Sequence, residues 1–276
     1  MKIFTSVLAS LLIVFSGLYI QAQTLVSTSP GPKNAVIEEF TGCSCPACPG
    51  GHTNLENIQA ANPNRAIVIA MHPTNSSLTG PHSGSPDFRR SFCNAFYTTP
   101  YYGSSRSMPS AHINRRIWGA ERKLSSGSWS PNTTTIVGEA SPVNIGMSST
   151  YSQLNDEINV TVEIYFTSDV LDPTTLSVFI TEDGLIGGQS GSSNPNYVHD
   201  HVFRESLTAQ WGDAVTGATT AGSLVTMNFT YDNSSTNYDI DNCHVVAFIS
   251  RDYNASPGNN EIFTGVEIAA KNGSTT

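Results

Sequence analysis

Glu38-Glu39-Phe40-Thr41-Gly42-Cys43-Ser44-Cys45-Pro46-Ala47-Cys48-Pro49 is the stretch that decides how the chain reads. An apolar run, Ala35-Val36-Ile37, leads into it, and a helix-compatible segment from His52 to Ala61 leaves it. A strand feeding a tight turn and then a helix sets a Cys-x-x-Cys pair at the helix's positive end. Unpaired N–H groups there favour thiolate over thiol. Pro46 removes a backbone donor and stiffens the turn.

Outward from this stretch, Asn34 to Phe40 reads as a strand, and Thr53 to Ala60 as a helix ended by Pro63. Ala66-Ile67-Val68-Ile69-Ala70-Met71 is an apolar run suited to a strand covered on both faces. Strand, helix, strand in so short a span implies a crossover connection and an α/β layer. A polar, Pro- and Gly-rich stretch from His72 to Asp87 follows. Phe88, Phe92, Phe96 and Tyr97 are then spaced for an amphipathic helix, and Ser110 to Ile117 returns to strand character after Met108-Pro109.

Glu39-Phe40, Cys45 and Cys48 resemble the thioredoxin active-site segment, with an acid six residues before the first cysteine. Met108-Pro109-Ser110 resembles that family's cis-proline landmark. The resemblance implies Cys45 as the exposed nucleophile, Cys48 as the buried resolving thiol, Glu39 as proton acceptor and Pro109 as the shaper of the substrate groove. It also implies an insertion between Cys48 and Pro109. The chain more closely resembles the 28-kDa outer-membrane-protein family of gram-negative bacteria. That likeness rests on Ile37-Glu38-Glu39-Phe40-Thr41-Gly42 with Cys45, Cys48-Pro49 and His52, on Pro109 with Asn114-Arg115, and on Tyr197-x-His199-x-His201-x-x-Arg204. It implies a location and a fold more than an activity.

Alternatives stand beside the redox reading. Cys45–Cys48 could be a structural disulfide of an exported protein, although two intervening residues suit a labile pair better than a relaxed staple. Cys43, Cys45, Cys48 and His52 put four soft or borderline ligands in ten residues, which is the basis for a copper or zinc reading. The redox reading ranks above it, and the site assignment carries no metal and no cofactor. Cys93 and Cys243 read as small buried apolar residues, and nothing in their spacing demands a bridge between them. His199 and His201 read as histidines of a polar loop.

Lys2, the apolar Val7 to Leu18 and a small residue at Ala22 read as a signal peptide over residues 1–22, too short for a membrane span. No second apolar run of spanning length follows. A net charge of −9 without a basic patch argues against nucleic acid. Five cysteines, three of them clustered, do not make a simple disulfide framework.

From Lys123 to Ser141 the chain is rich in Ser, Gly, Thr and Asn, with a short helix expected at Asn132 to Val137, and beyond it the period becomes two. Ile158 to Phe166, Leu176 to Ile180, Leu224 to Phe229, Val245 to Ile249 and Ile262 to Ile268 read as strands of two packed antiparallel sheets. The family resemblance implies an immunoglobulin-like sandwich. The expected fold is therefore α+β and two-domain: a thioredoxin-like α/β domain over 23–140, then an immunoglobulin-like antiparallel β-sandwich over 141–276. The long loop Glu182 to Thr220 is expected to pack toward the first domain and wall the dithiol groove. The functional reading is an exported thiol–disulfide oxidoreductase of the periplasm or outer membrane that acts on protein thiols or disulfides. The other reading is a non-enzymatic surface protein, adhesin-like, that binds a partner protein or glycan.

Overall fold

The computed structural model describes residues 24–236 and 238–275, and the signal peptide expected over residues 1–22 lies outside them. The elements run β1 (Ala35–Phe40), α1 (Cys48–Ala61), β2 (Ala66–Met71), β3 (Ser110–Ile113), α2 (Trp129–Val137), β4 (Val143–Ser152) and β5 (Glu157–Phe166). They continue with β6 (Thr174–Glu182), β7 (Leu185–Gly187), β8 (Tyr197–His199), β9 (Val202–Ser206), β10 (Asp213–Ala214), β11 (Leu224–Asp232), β12 (Cys243–Arg251) and β13 (Ile262–Ala269). Among the described residues no helix is long and apolar enough to cross a membrane.

The fold is α+β and mostly sheet. One eight-stranded mixed sheet runs β13-β12-β6-β9-β2-β1-β3, with β10 attached to β6. A three-stranded antiparallel sheet, β11-β5-β4, and the β7–β8 hairpin complete it. β1 and β2 are parallel and joined through α1, and β3 runs antiparallel to β1. The large sheet takes strands from both halves of the chain. Its joint is β9, which pairs with β2 at Ala70 and Val202 and with β6 through four residue pairs. The expected partition at residue 140 thus meets a hydrogen-bonded sheet that continues across it.

Alternation along the strands assigns each layer. Val36, Phe40, Ile67, Ile69, Met71, Phe179, Phe203, Val246 and Phe248 share one face with Phe96, Tyr97, Tyr101 and Tyr102. Asn34 donates to the Gly265 carbonyl and Asn114 to the Ile262 carbonyl, so the sheet curls until its last strand meets the start of its first. The segment between β2 and β3, expected as an insertion, fills the concave side with these aromatic rings. The opposite face is covered twice. α1 and α2 pack on Ile37, Val68 and Ile113 at one end, and the three-stranded sheet packs on Val178, Ile180, Val245 and Ala247 at the other. Cover on both faces explains why β1, β2 and β6 are buried at every position and why β2 is apolar throughout. β5, with only one covered face, alternates.

Two sequence expectations need correction. Phe88 to Tyr97 is not an amphipathic α-helix: only Ser91–Asn94 forms a 3₁₀ turn, and the aromatic rings plug the curled sheet. The strand after Pro109 stops at Ile113, because Asn114 and Arg115 both take left-handed φ values of 49° and 51°. The reading of Cys93 and Cys243 as small buried apolar residues, by contrast, holds: both are free, one in the aromatic cluster and the other in the core between the two sheets.

The turn after β3 delivers Arg115 to the concave side. Its guanidinium makes Nε and Nη2 bonds of 2.6–3.0 Å to the Glu38 carboxylate, and both side chains are fully buried. The guanidinium also lies 4.6 Å from the centre of the Phe96 ring and 4.9 Å from that of Phe248. Burial opposes ionisation of Glu38, but Arg115, helped by His112, overcomes it and holds the carboxyl at about 2. Removing one partner strands a buried charge. Arg115→Met is expected to lower stability by about 3–5 kcal/mol in urea unfolding, with part of the loss recovered in the Glu38→Gln/Arg115→Met double variant.

Candidate functional site

β1 ends at Phe40, and the chain then turns over Thr41–Ala47 into α1, whose first residue is Cys48. Cys45 and Cys48 form a disulfide with their Cα atoms 5.4 Å apart. The Cys45 amide donates to the Gly42 carbonyl and the Cys48 amide to Cys45, which locks the turn. One turn further along α1, a side chain on Gly51 would come within 2.8 Å of the Pro109 ring and 3.1 Å of Glu39 Oε1. Gly51 lies on the Cys48 side of the helix, so that face, the half-buried Pro109 and the Glu39 carboxyl converge. The Met108–Pro109 peptide is cis. Glu39 and Pro109, singled out from sequence, therefore meet at Gly51, one turn along α1 from Cys48.

Parity along β1 decides the environment of Glu39. It points to the helix-covered face with Ile37, opposite to Glu38, and is 1% exposed. Oε1 has no hydrogen-bond partner among the described residues, and burial raises the carboxyl to about 8. His52 Nε2 lies 3.7 Å from Oε2. Burial, with smaller effects of His199 and His201, depresses His52 to about 4. Both groups are accordingly neutral at pH 7, and their contact is not an ion pair. The imidazole is fixed by Thr41 Oγ1, 2.8 Å from Nε2, and by the Tyr197 hydroxyl, 2.7 Å from Nδ1.

The long connection after β6 reaches this place, as expected. Gln189 donates from Nε2 to the carbonyls of Cys45 (2.9 Å) and Gly42 (3.2 Å), and the Ser190 amide donates to Cys43. Gly191, at φ +85°, sits so close to the Pro46 carbonyl that any side chain would collide with it. Residues 187–192 thus form a strap across the disulfide turn. The expectation of an exposed Cys45 is overturned: the residue is 1% exposed and Cys48 fully buried. Pro46 and Ala47 stay at the surface.

The candidate metal ligands do not converge either. Cys43 packs with Phe88 and Val202 in a small apolar cluster, Cys45 is bonded to Cys48, and both ring nitrogens of His52 are engaged. Among the described residues no group of three or more His, Cys, Asp or Glu is placed to hold a metal. His199 and His201 are not free loop histidines. His199 is buried with its ring against Phe88 and Tyr197, and His201 meets Gln59 at 3.1 Å. Together with Glu39, His52 and His72 they line a cavity of about 60 Å³. That volume admits water-sized groups and falls well short of the roughly 300 Å³ of a small-molecule pocket. Sequence reasoning missed His72 and Gln189. The Tyr197-x-His199-x-His201 spacing was the available signal for the strap's far side, whereas Gln189 has none.

The family model described as outer membrane protein Omp28 matches residues 95–261. Among solved structures, HBP35 of Porphyromonas gingivalis aligns with 17% identity and a TM-score of 0.70, over 87% of this chain and 76% of that one. Protein AGR_C_4864 from Agrobacterium tumefaciens aligns with 12% identity and a TM-score of 0.51, over 88% and 97%. A domain of the outer membrane lipoprotein Omp28 from Porphyromonas gingivalis aligns over 46% of this chain and 93% of its own, at 19% identity and a TM-score of 0.32. At these identities the likeness is one of fold. No curated protein matches.

The strap generates a test. Gln189→Ala removes its side-chain bonds to the Gly42 and Cys45 carbonyls, which keep only their backbone donors, at a cost of about 0.5–1.5 kcal/mol for each bond. Reduction of Cys45–Cys48 by dithiothreitol in the native protein is expected to accelerate roughly tenfold or more, read by alkylation and mass spectrometry.

Proposed function

The chain belongs to the Omp28 family of outer membrane proteins, exported and outer-membrane-associated, and we propose that it is a masked thiol–disulfide exchange protein acting through Cys45 and Cys48. The observation that carries this reading is the Glu39 carboxyl, buried against Gly51 one turn along α1 from Cys48, with an oxygen that has no hydrogen-bond partner among the described residues. A disulfide serving only as a staple gains nothing from a buried neutral acid beside it, and that acid costs stability. A redox pair does gain, because the departing Cys48 sulfur needs a proton.

From the oxidised form, a substrate thiolate attacks Cys45 Sγ. The Cys45–Cys48 bond breaks, a mixed disulfide forms, and Cys48 leaves as a thiolate that takes the proton of Glu39. A second substrate thiolate attacks the substrate sulfur of the mixed disulfide. A substrate disulfide forms and Cys45 is released as a thiolate, so two electrons pass to the protein. Run in reverse, Cys45 attacks a substrate disulfide and the Glu39 carboxylate accepts the proton of the resolving Cys48. Pro109, beside Gly51, lies where a substrate backbone would meet the pair. Partners in this reading are protein thiols or disulfides that lift the strap.

The thioredoxin-like description of residues 23–140 and the immunoglobulin-like description of 141–276 belong to the same proposal. They are supported by the parallel β1–α1–β2 unit, the antiparallel β3 after Pro109, and the facing sheets β4-β5-β11 and β6-β12-β13. The burial of Cys45 favours a second reading: a surface protein that binds another protein or a glycan and keeps the disulfide as a staple.

The redox potential separates the two. Across a glutathione series, the exchange reading expects a midpoint between about −120 and −270 mV that Cys45→Ser abolishes and Cys43→Ser leaves in place. A pair that stays oxidised below about −300 mV would establish the staple instead.

A further inference from the structure

Once Cys48 has taken its proton, Glu39 is left as a buried carboxylate with no Lys or Arg beside it among the described residues, and it regains its neutral form by taking a proton from solvent or back from Cys48. Glu39 is 1% exposed, and its neighbours on the helix-covered face, Ala35, Ile37 and Leu55, are apolar. Among the described residues the one base within 4 Å of its oxygens is His52. The side chain of His52 is 18% exposed against 1% for that of Glu39, and beyond it stands the half-buried Tyr197. Exposure therefore rises from carboxyl to imidazole, and the phenol next to it is half-buried as well.

Resting on the exchange reading, we propose that His52 is a positioning residue that carries the proton between Glu39 and solvent, with Thr41 and Tyr197 holding its ring in line. The two nitrogens lie on opposite sides of the ring. Nε2 faces Thr41 and Glu39, and Nδ1 faces the Tyr197 hydroxyl, so a proton taken up on one side leaves from the other. The groups facing this imidazole are Glu39 and Thr41 from the β1 end, Glu56 from its own helix, and His72 after β2. Tyr197, His199, Asp200 and His201 face it from the β8 side. In this surrounding the ring is neutral at pH 7. A neutral imidazole has one donor and one acceptor nitrogen and passes a proton on without retaining it. Glu39, Thr41, His52 and Tyr197 all line the cavity wide enough for water-sized groups, which places the relay beside solvent-sized space.

The test follows the infrared band of the Glu39 carboxyl, assigned by its loss in Glu39→Gln, after rapid mixing of the oxidised protein into heavy water, so that exchange of its proton with solvent is read directly. His52→Gln, which keeps polar atoms for Thr41 and Tyr197 but does not titrate, is expected to slow this exchange about a hundredfold at pH 7. Added imidazole is expected to restore most of the rate, and the equilibrium potential to stay unchanged. Tyr197→Phe, which keeps the ring and removes the outer hydroxyl, is expected to give a smaller loss of the same kind. A His52→Gln protein whose Glu39 proton exchanges at the parent rate, or whose lost rate imidazole does not recover, overturns the relay and leaves the thiol–disulfide reading standing. A disulfide that dithiothreitol does not reduce in the folded parent overturns both.

Discussion

Two adjacent carboxyls with opposite fates set the terms for this structure. Side chains alternate along β1, so Glu38 enters the aromatic concave side and Glu39 the helix-covered side. Glu38 is ionised and held by Arg115, and a buried charge of that kind is tolerable only with its partner in place. Glu39 has no Lys or Arg beside it among the described residues, and burial raises its carboxyl to about 8, so it stays neutral at pH 7. One strand thus supplies a charge that fixes the fold and, one residue on, an acid that retains its proton.

The Glu38–Arg115 pair also explains the geometry of the sheet. Arg115 follows a left-handed turn that ties β3 to the last strand through Asn114, and its guanidinium is sandwiched by Phe96 and Phe248 from distant parts of the chain. The curl this imposes brings the connection after β6 back over α1. There Gln189 reaches the disulfide turn and Tyr197 reaches His52. The strap and the sealed acid are consequences of one closure. The half-buried network of Lys33, Arg116, Glu139 and Glu261 reinforces the same closure at its rim.

Local features were legible in the sequence. The spacing of Glu39, Cys45, Cys48 and Pro109 located the site, and the period-two segments located the strands of the facing sheets. Features set by long-range pairing were not. The joint between β2 and β9 rests on Ala70 and Val202, and Val202-Phe203-Arg204-Glu205-Ser206 is too short and mixed to announce a strand. Phe88, Phe92, Phe96 and Tyr97 have helical spacing but answer to a curved sheet that no local pattern reveals. Glu38 and Glu39 look alike until strand parity is fixed. Cys45 looked exposed because its cover, Gln189 and its glycine neighbours, arrives from a loop with no periodicity at all.

The division of labour between the two carboxyls is the centre of this account, and carboxyl ¹³C NMR on protein labelled at glutamate tests it most directly. Glu39→Gln and Glu38→Gln would assign the signals and distinguish them from Glu267, which burial and Asp183 raise to about 7. The account predicts that Glu39 titrates near 8 in the oxidised protein while Glu38 stays ionised down to about 2. A Glu39 signal that titrates at the ordinary carboxyl value of about 4.5 would contradict it, because an acid open to solvent holds no proton for Cys48 at neutral pH.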